Sequence, residues 1–187
     1  MITRTIFGLD VSDIDAAMHV INSDGSIASM CGNGIRCIAR HLYESCGFSI
    51  SRVLQIGTLG GVQTVKCLDG HGDQWQIEVA IQRANVTQSC EIVQDNRIWK
   101  GLCVDVGNPH AVFEIDTDPR DALETAGAYL SNHETFPDRC NIEFIRPLSA
   151  KVLDFTVYER GAGPTLACGT GCIAAAVAYA HHHRLSG

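Results

Sequence analysis

The alternation of apolar and polar positions divides the chain into short strand-like runs set between turns, with helical periodicity in three places. Residues 16 to 22, AAMHVIN, read as a strand running into the polar turn Ser23-Asp24-Gly25-Ser26. A helix is predicted from about Cys31 to Cys46: Ile35, Ile38 and Leu42 share one face, and Gly47 stands where a C′ glycine belongs. Further β-rich runs are RVLQIGT (52 to 58), VQTVKCL (62 to 68) and WQIEVAI (75 to 81). From Gln82 to Gln94 the chain is polar and weakly patterned, which predicts a boundary near residue 84 between two lobes, 1–83 and 84–187. Strands resume at IWKGLCVDV (98 to 106) and AVFEI (111 to 115), and Asp118 as N-cap with Pro119 at N1 opens a helix through Tyr129. NIEFI (141 to 145) and VLDFTVYER (152 to 160) lead into a last helix, CIAAAVAYA (172 to 180). That helix is apolar nearly all round, which predicts burial as the central element of its lobe.

The two halves repeat one another. MCGNGIRC at 30 to 37 and ACGTGCIA at 167 to 174 each place Cys-Gly-x-Gly where a helix begins, after a strand and a polar glycine-containing turn. Asn22 precedes Cys31 by nine residues, and Glu159 precedes Cys168 by nine. Strand, turn, motif and spacing together predict an internal duplication. The expected architecture is α/β (α+β), with two pseudo-symmetric lobes and a cleft between them.

Composition narrows the partners. The 187 residues are 45% hydrophobic and carry a net charge of −7, with no dense Lys/Arg cluster. This argues against nucleic acid or an anionic membrane as partner. No apolar run approaches the roughly 20 residues needed to span a bilayer. MITRTIFGLD lacks the apolar core of a signal peptide. Nine cysteines without an export signal read as reduced thiols of a cytoplasmic protein.

A thiol at a helix N-terminus meets unpaired backbone N–H groups and the positive end of the macrodipole, which favour the thiolate. Neighbouring glycines keep those N–H groups open to a carboxylate. Two such sites facing one another would hold an amino acid's α-carboxylate with a sulfur on each side of the α-carbon. One thiolate removes the α-proton and one thiol returns a proton to the opposite face. Such a racemisation needs neither a pyridoxal cofactor nor a metal. Zinc bound by Cys31, Cys37, Cys168 and Cys172 is the competing use, but gaps of five and three residues fit no common knuckle. Cys37, Cys46, Cys67, Cys90, Cys103, Cys140 and Cys172 read as packing or incidental. His181, His182 and His183 decorate a helix end, where cations suit the dipole, and metal binding is the other use this run allows.

The stretches INSDGSIASMCGNGIRC, VGNPHAV, CNIEF and YERGAGPTLACGTG closely resemble the diaminopimelate epimerase family, in order and at matching spacing, from about Ala16 to the C-terminus. The resemblance implies two similar lobes, each a curled β-sheet around a central helix. It implies a cofactor-independent interconversion of LL- and meso-diaminopimelate for lysine and peptidoglycan synthesis. Cys31 and Cys168 would be the catalytic thiols, and the backbone at Gly32, Asn33, Gly169 and Thr170 would hold the α-carboxylate. Asn22, Asn108, Asn141 and Arg160 would take the distal end of the substrate, with Glu159 and His110 beside the reacting centre. The implied partner is a small amino acid, with a homodimer as an assembly the family allows.

The family's glycine-rich opening with an Asn-Asp pair, and a later Gly-x-Asp-Gln-like turn, are not found upstream of Ala16. The resemblance therefore implies the middle of an epimerase, short of roughly 40 to 50 residues at the start and a similar stretch at the end. Pro164 stands where the family often has Glu, and Ala80 to Val86 lacks its Met-Gly-x-Pro turn. A proline or histidine racemase is the nearest rival, although Asn33 and Ala167 point away from the proline type. From other classes the rivals are a thiol-redox protein using Cys31 and Cys168, or a catalytically incomplete remnant.

Overall fold

The computed structural model describes residues 5–81, 83–149 and 151–185. The chain divides into two compact units, Met1–Ile81 and Gln82–Gly187.

The first unit opens with a small hairpin, β1 (Thr5–Ile6) and β2 (Leu9–Asp10). The predicted strand at 16 to 22 is two short strands, β3 (Ala16–Ala17) and β4 (Val20–Ile21), because the two ends pair with different partners. β4 forms a hairpin with β5 (Ile27–Ala28), closed by Asn22 N–H to Ser26 O at 2.8 Å. Helix α1 (Gly32–Ser45) follows, and then β6 (Leu54–Thr58), β7 (Gly61–His71) and β8 (Gln74–Val79). These make a four-stranded sheet in the order β3-β6-β7-β8, with β3 parallel to β6. Helical spacing puts Ile35, Ala39, Leu42 and Tyr43 on one buried stripe, which packs on Leu54, Ile56 and Val65 of the sheet. Gly47, at φ +76°, lets the chain leave the helix in the left-handed conformation, and Phe48 N–H returns to Leu42 O.

The second unit contains β9 (Asn85–Gln94), β10 (Arg97–Asp105), β11 (Pro109–Glu114), α2 (Pro119–Ser131), β12 (Asn141–Ser149), β13 (Val152–Glu159), β14 (Gly163–Thr165) and α3 (Gly169–His182). Its six-stranded sheet has the order β14-β13-β12-β11-β10-β9. The weakly patterned stretch up to Gln94 is a ten-residue strand that begins just after the predicted boundary. It lies at the sheet edge and buries only Cys90 and Ile92, so its alternation is nearly silent in the sequence. Asp118 caps α2 by accepting from Arg120 N–H, with Pro119 in the first turn, as the sequence predicts.

Strands β11 and β12 run parallel, joined through α2, and the pleat sorts their side chains onto two faces. Ala111, Phe113, Ile142 and Phe144 join Trp99, Ala122, Ala126 and Leu130 in the core under α2. His110, Asn141 and Glu143 point to the other face, where α3 lies. α3 buries Gly171, Ala174, Ala175 and Ala178, while Cys172 and Ala176 are exposed; among the described residues it is covered on one face rather than all round.

Gly101 of β10 is fixed by this core. A Cβ there would stand 2.8 Å from the Phe113 ring and 2.8 Å from Val112 O, inside van der Waals contact. Gly101→Ala is expected to destabilise the protein by about 2 kcal/mol through this overpacking. Urea unfolding measures it, and an unchanged midpoint would mean that the Phe113 contact yields freely.

Candidate active site

The two Cys-Gly-x-Gly motifs fold into the same local device. Cys31 is the N-cap of α1 at φ −137°, ψ 110°, and Cys168 is the N-cap of α3 at φ −130°, ψ 112°. In each, the cap sulfur accepts the third helical N–H at 3.3 Å: Gly34 N–H to Cys31 Sγ and Gly171 N–H to Cys168 Sγ. Helix geometry leaves the N–H groups of Gly32 and Asn33, and of Gly169 and Thr170, without intrahelical acceptors. A Cβ at Gly32 or Gly169 would meet nothing within 4 Å, so both helix starts are open to an approaching group.

The second glycines differ. A Cβ at Gly34 would make ordinary 3.5 Å contacts with Cys31 Sγ and Met18 Sδ. At Gly171 it would collide with Glu143 Oε1 at 2.9 Å. Glycine at 171 is what allows a buried carboxyl group to sit against the first turn of α3.

In the first unit, Asn22 holds its hairpin turn, its side-chain amide donating to Ser26 Oγ at 3.1 Å. The Asn33 side chain accepts from Arg36. In the second unit the structure gathers the remaining predicted residues. His110, wholly buried, places Nδ1 2.6 Å from Glu143 Oε1 and Nε2 3.0 Å from Asn108 Oδ1. Asn141 donates to Pro109 O at 3.0 Å and accepts the Arg160 N–H at 2.9 Å, tying the start of β11 to the end of β13. The Arg160 guanidinium donates to Asp138 O at 3.0 Å. Glu159 accepts from the Thr165 hydroxyl, and Thr170 Oγ1 lies 3.4 Å from Cys168 Sγ.

Glu143 is absent from the sequence-based site, although the sequence carries a signal for it. It is a charged residue inside the apolar run NIEFI, two positions from Asn141 and hence on the same face. Burial pushes its carboxyl above the usual range, against the opposing pull of His110. The short Nδ1···Oε1 contact joins the imidazole to the carboxyl group, and Nε2 is paired with Asn108 Oδ1. The other carboxyl oxygen, Oε2, has no partner among the described residues.

Burial also decides the state of Cys168. The helix terminus favours thiolate, but desolvation outweighs the bonds from Thr170 and Gly171. With the charges of Glu159 and Glu143 adding to it, the thiol is pushed up to about 11. Cys168 is therefore a thiol at neutral pH, the reverse of what the helix start alone predicts.

The profile of the diaminopimelate epimerase family matches residues 3–86 and 102–187. The chain belongs to that family. It is 40% identical over 175 residues to a diaminopimelate epimerase of Moorella thermoacetica, covering 86% of this chain and 62% of that protein. With the enzyme of Phocaeicola vulgatus it shares 36% identity over 182 residues, 91% of this chain and 65% of the relative. The chain thus spans less than two thirds of the length of these relatives. A probable proline racemase from Agrobacterium radiobacter K84 superposes with a TM-score of 0.74 at 14% identity, over 96% of this chain and 59% of its own. A hydroxyproline epimerase from Agrobacterium vitis gives 0.72 at 18%, over 94% and 58%. At these identities the likeness is one of fold. No helix among the described residues is long and apolar enough to cross a membrane.

Two outcomes test this chemistry. Iodoacetamide labelling of Cys168, followed by peptide mass spectrometry, should rise about tenfold per pH unit from pH 7 to 9.5 with no plateau, since the thiolate is the nucleophile. Levelling off towards pH 9.5 would show an ordinary thiol, and a plateau near pH 8 an activated one. Glu143→Gln, whose amide still pairs with Nδ1, should keep both imidazole contacts of His110 in long-range 1H–15N spectra. It should also stay within about 1 kcal/mol of the parent stability, whereas Glu143→Leu leaves Nδ1 unpaired and costs about 2 kcal/mol.

Proposed function

We propose that this chain carries the proton-transfer machinery of a cofactor-independent epimerase that interconverts LL- and meso-diaminopimelate, a cytoplasmic step towards lysine and peptidoglycan precursors. The observation that carries the reading is the pair of matching cysteine caps, each beside open helix N–H groups. Cys31 as thiolate removes the α-proton: the Cα–H bond breaks and an S–H bond forms. Cys168, arriving protonated, gives its proton to the opposite face of the carbanion and becomes the thiolate. The helix N–H groups hold the α-carboxylate and take up the charge that develops as the proton leaves. In the reverse direction the thiol roles exchange: Cys31 starts as the thiol and Cys168 as the thiolate, the state in which forward turnover leaves them, with the charge of Glu159 acting on the Cys168 sulfur. Arg160 and the side chains of Asn22, Asn108 and Asn141 serve the distal end of the substrate. In the asparagines' case this follows partly through the loops they fix.

The test is α-hydrogen exchange in D2O, followed by NMR, with the 187-residue chain, reductant and LL- or meso-diaminopimelate. Deuterium should enter at the α-carbon and be lost in both Cys31→Ser and Cys168→Ser. Exchange of proline or histidine under the same conditions, without exchange of diaminopimelate, would move the assignment to a related racemase. Exchange that survives either substitution would sink the two-thiol mechanism.

A further inference from the structure

A second cluster of ligating side chains lies at the far end of the elements that carry the site. Glu114 closes β11, His182 closes α3, and His183 is the C-cap of that helix. The ligand atoms of these three residues all lie within 4.8 Å of one another. His183 Nε2 stands 3.1 Å and 3.0 Å from the two carboxylate oxygens of Glu114. Two donors held at about 2.0–2.1 Å from a tetrahedral ion are about 3.3–3.4 Å apart. The His183–Glu114 pair needs to open by only a few tenths of an ångström to admit one. His182 supplies a third donor, and it borders, with Glu114 and Asp116, a cavity of about 570 Å³. A cation at a helix C-terminus explains one imidazole paired with Glu114; it does not call for a second imidazole within reach of the same carboxylate.

We infer that Glu114, His182 and His183 form a binding site for a divalent transition metal of the zinc, nickel and copper group. Two imidazoles and a carboxylate suit these borderline ions and not magnesium or calcium, which prefer all-oxygen sites. The ion clips the C-terminal end of α3 to the end of β11. The same helix begins at Cys168 and the same strand carries His110 near its start, so the clip holds the elements bearing thiol and imidazole together. It does so about 20 Å along the helix from the sulfur. The inference stands independently of the epimerase reading.

The experiment is calorimetric titration of Zn2+ into the full 187-residue chain, with Mg2+ as the control metal. A Co2+ absorption spectrum reports the donor atoms. One equivalent of zinc should bind and raise the melting temperature, with no heat from magnesium. His182→Ala, His183→Ala and Glu114→Gln should each weaken zinc by about tenfold or more, while His181→Ala stays within about twofold. All four positions are exposed, and circular dichroism checks that each variant keeps the parent fold. Loss of affinity in His181→Ala with none in Glu114→Gln would reduce the site to a bare histidine tract. A thiolate-to-cobalt charge-transfer band would place the metal on cysteine. Either result overturns the inference.

Discussion

A sulfur atom taking the third N–H of a helix is the interaction on which both units are organised. Cysteine is a poor choice for that position, since Ser, Asp and Asn accept more strongly and stabilise a helix start by about 1 kcal/mol. The chain breaks this local preference twice, at Cys31 and Cys168, with nearly identical backbone angles. Departures from local rules concentrate where a site needs the residue for its chemistry. Each cap fixes its sulfur relative to a rigid helix, and in the second unit the sheet beneath fixes what surrounds it.

The surroundings are built from buried polar groups that balance internally. His110, Glu143 and Asn108 form a chain of hydrogen bonds in which Oε2 of Glu143 is the buried atom left unpaired among the described residues. A carboxyl group paired with an imidazole is far cheaper to bury than an isolated ion. Of the neighbouring carboxyl groups Glu159 weighs more on the Cys168 thiol, with Glu143 secondary. The outcome is a thiol held protonated by its environment although it sits at the one place on a helix that favours the anion.

What the sequence makes legible is local. The glycine after each cysteine, the Asp118-Pro119 helix start and the Gly47 helix end are read within a few residues, and the structure places each where its chemistry requires. The neighbourhood of His110, Asn141 and Glu143 is not legible in that way. It arises from the parallel pairing His110↔Asn141 across a helical connection, a register that no local pattern states. Glu143 escapes for the same reason, because its partner is 33 residues away. The edge strand β9 is hidden by its polarity, since a strand with one covered face needs few apolar residues. The protonation of Cys168 is hidden too: the helix end is visible in the sequence, and the burial that outweighs it is not.

The shared register of β11 and β12 ties two demands into one. His110 and Glu143 alternate with Phe113 and Phe144 along these strands, so the same pleat that sends the rings to one layer sends the acid and imidazole to the other. A slip of one residue would exchange the two layers, burying a carboxyl group among aromatics and turning phenylalanines toward the thiol. The aromatic core and the buried polar cluster are therefore specified by the same stretch of sequence. Point changes in these strands can be absorbed one face at a time, whereas a single-codon insertion or deletion is penalised on both faces at once.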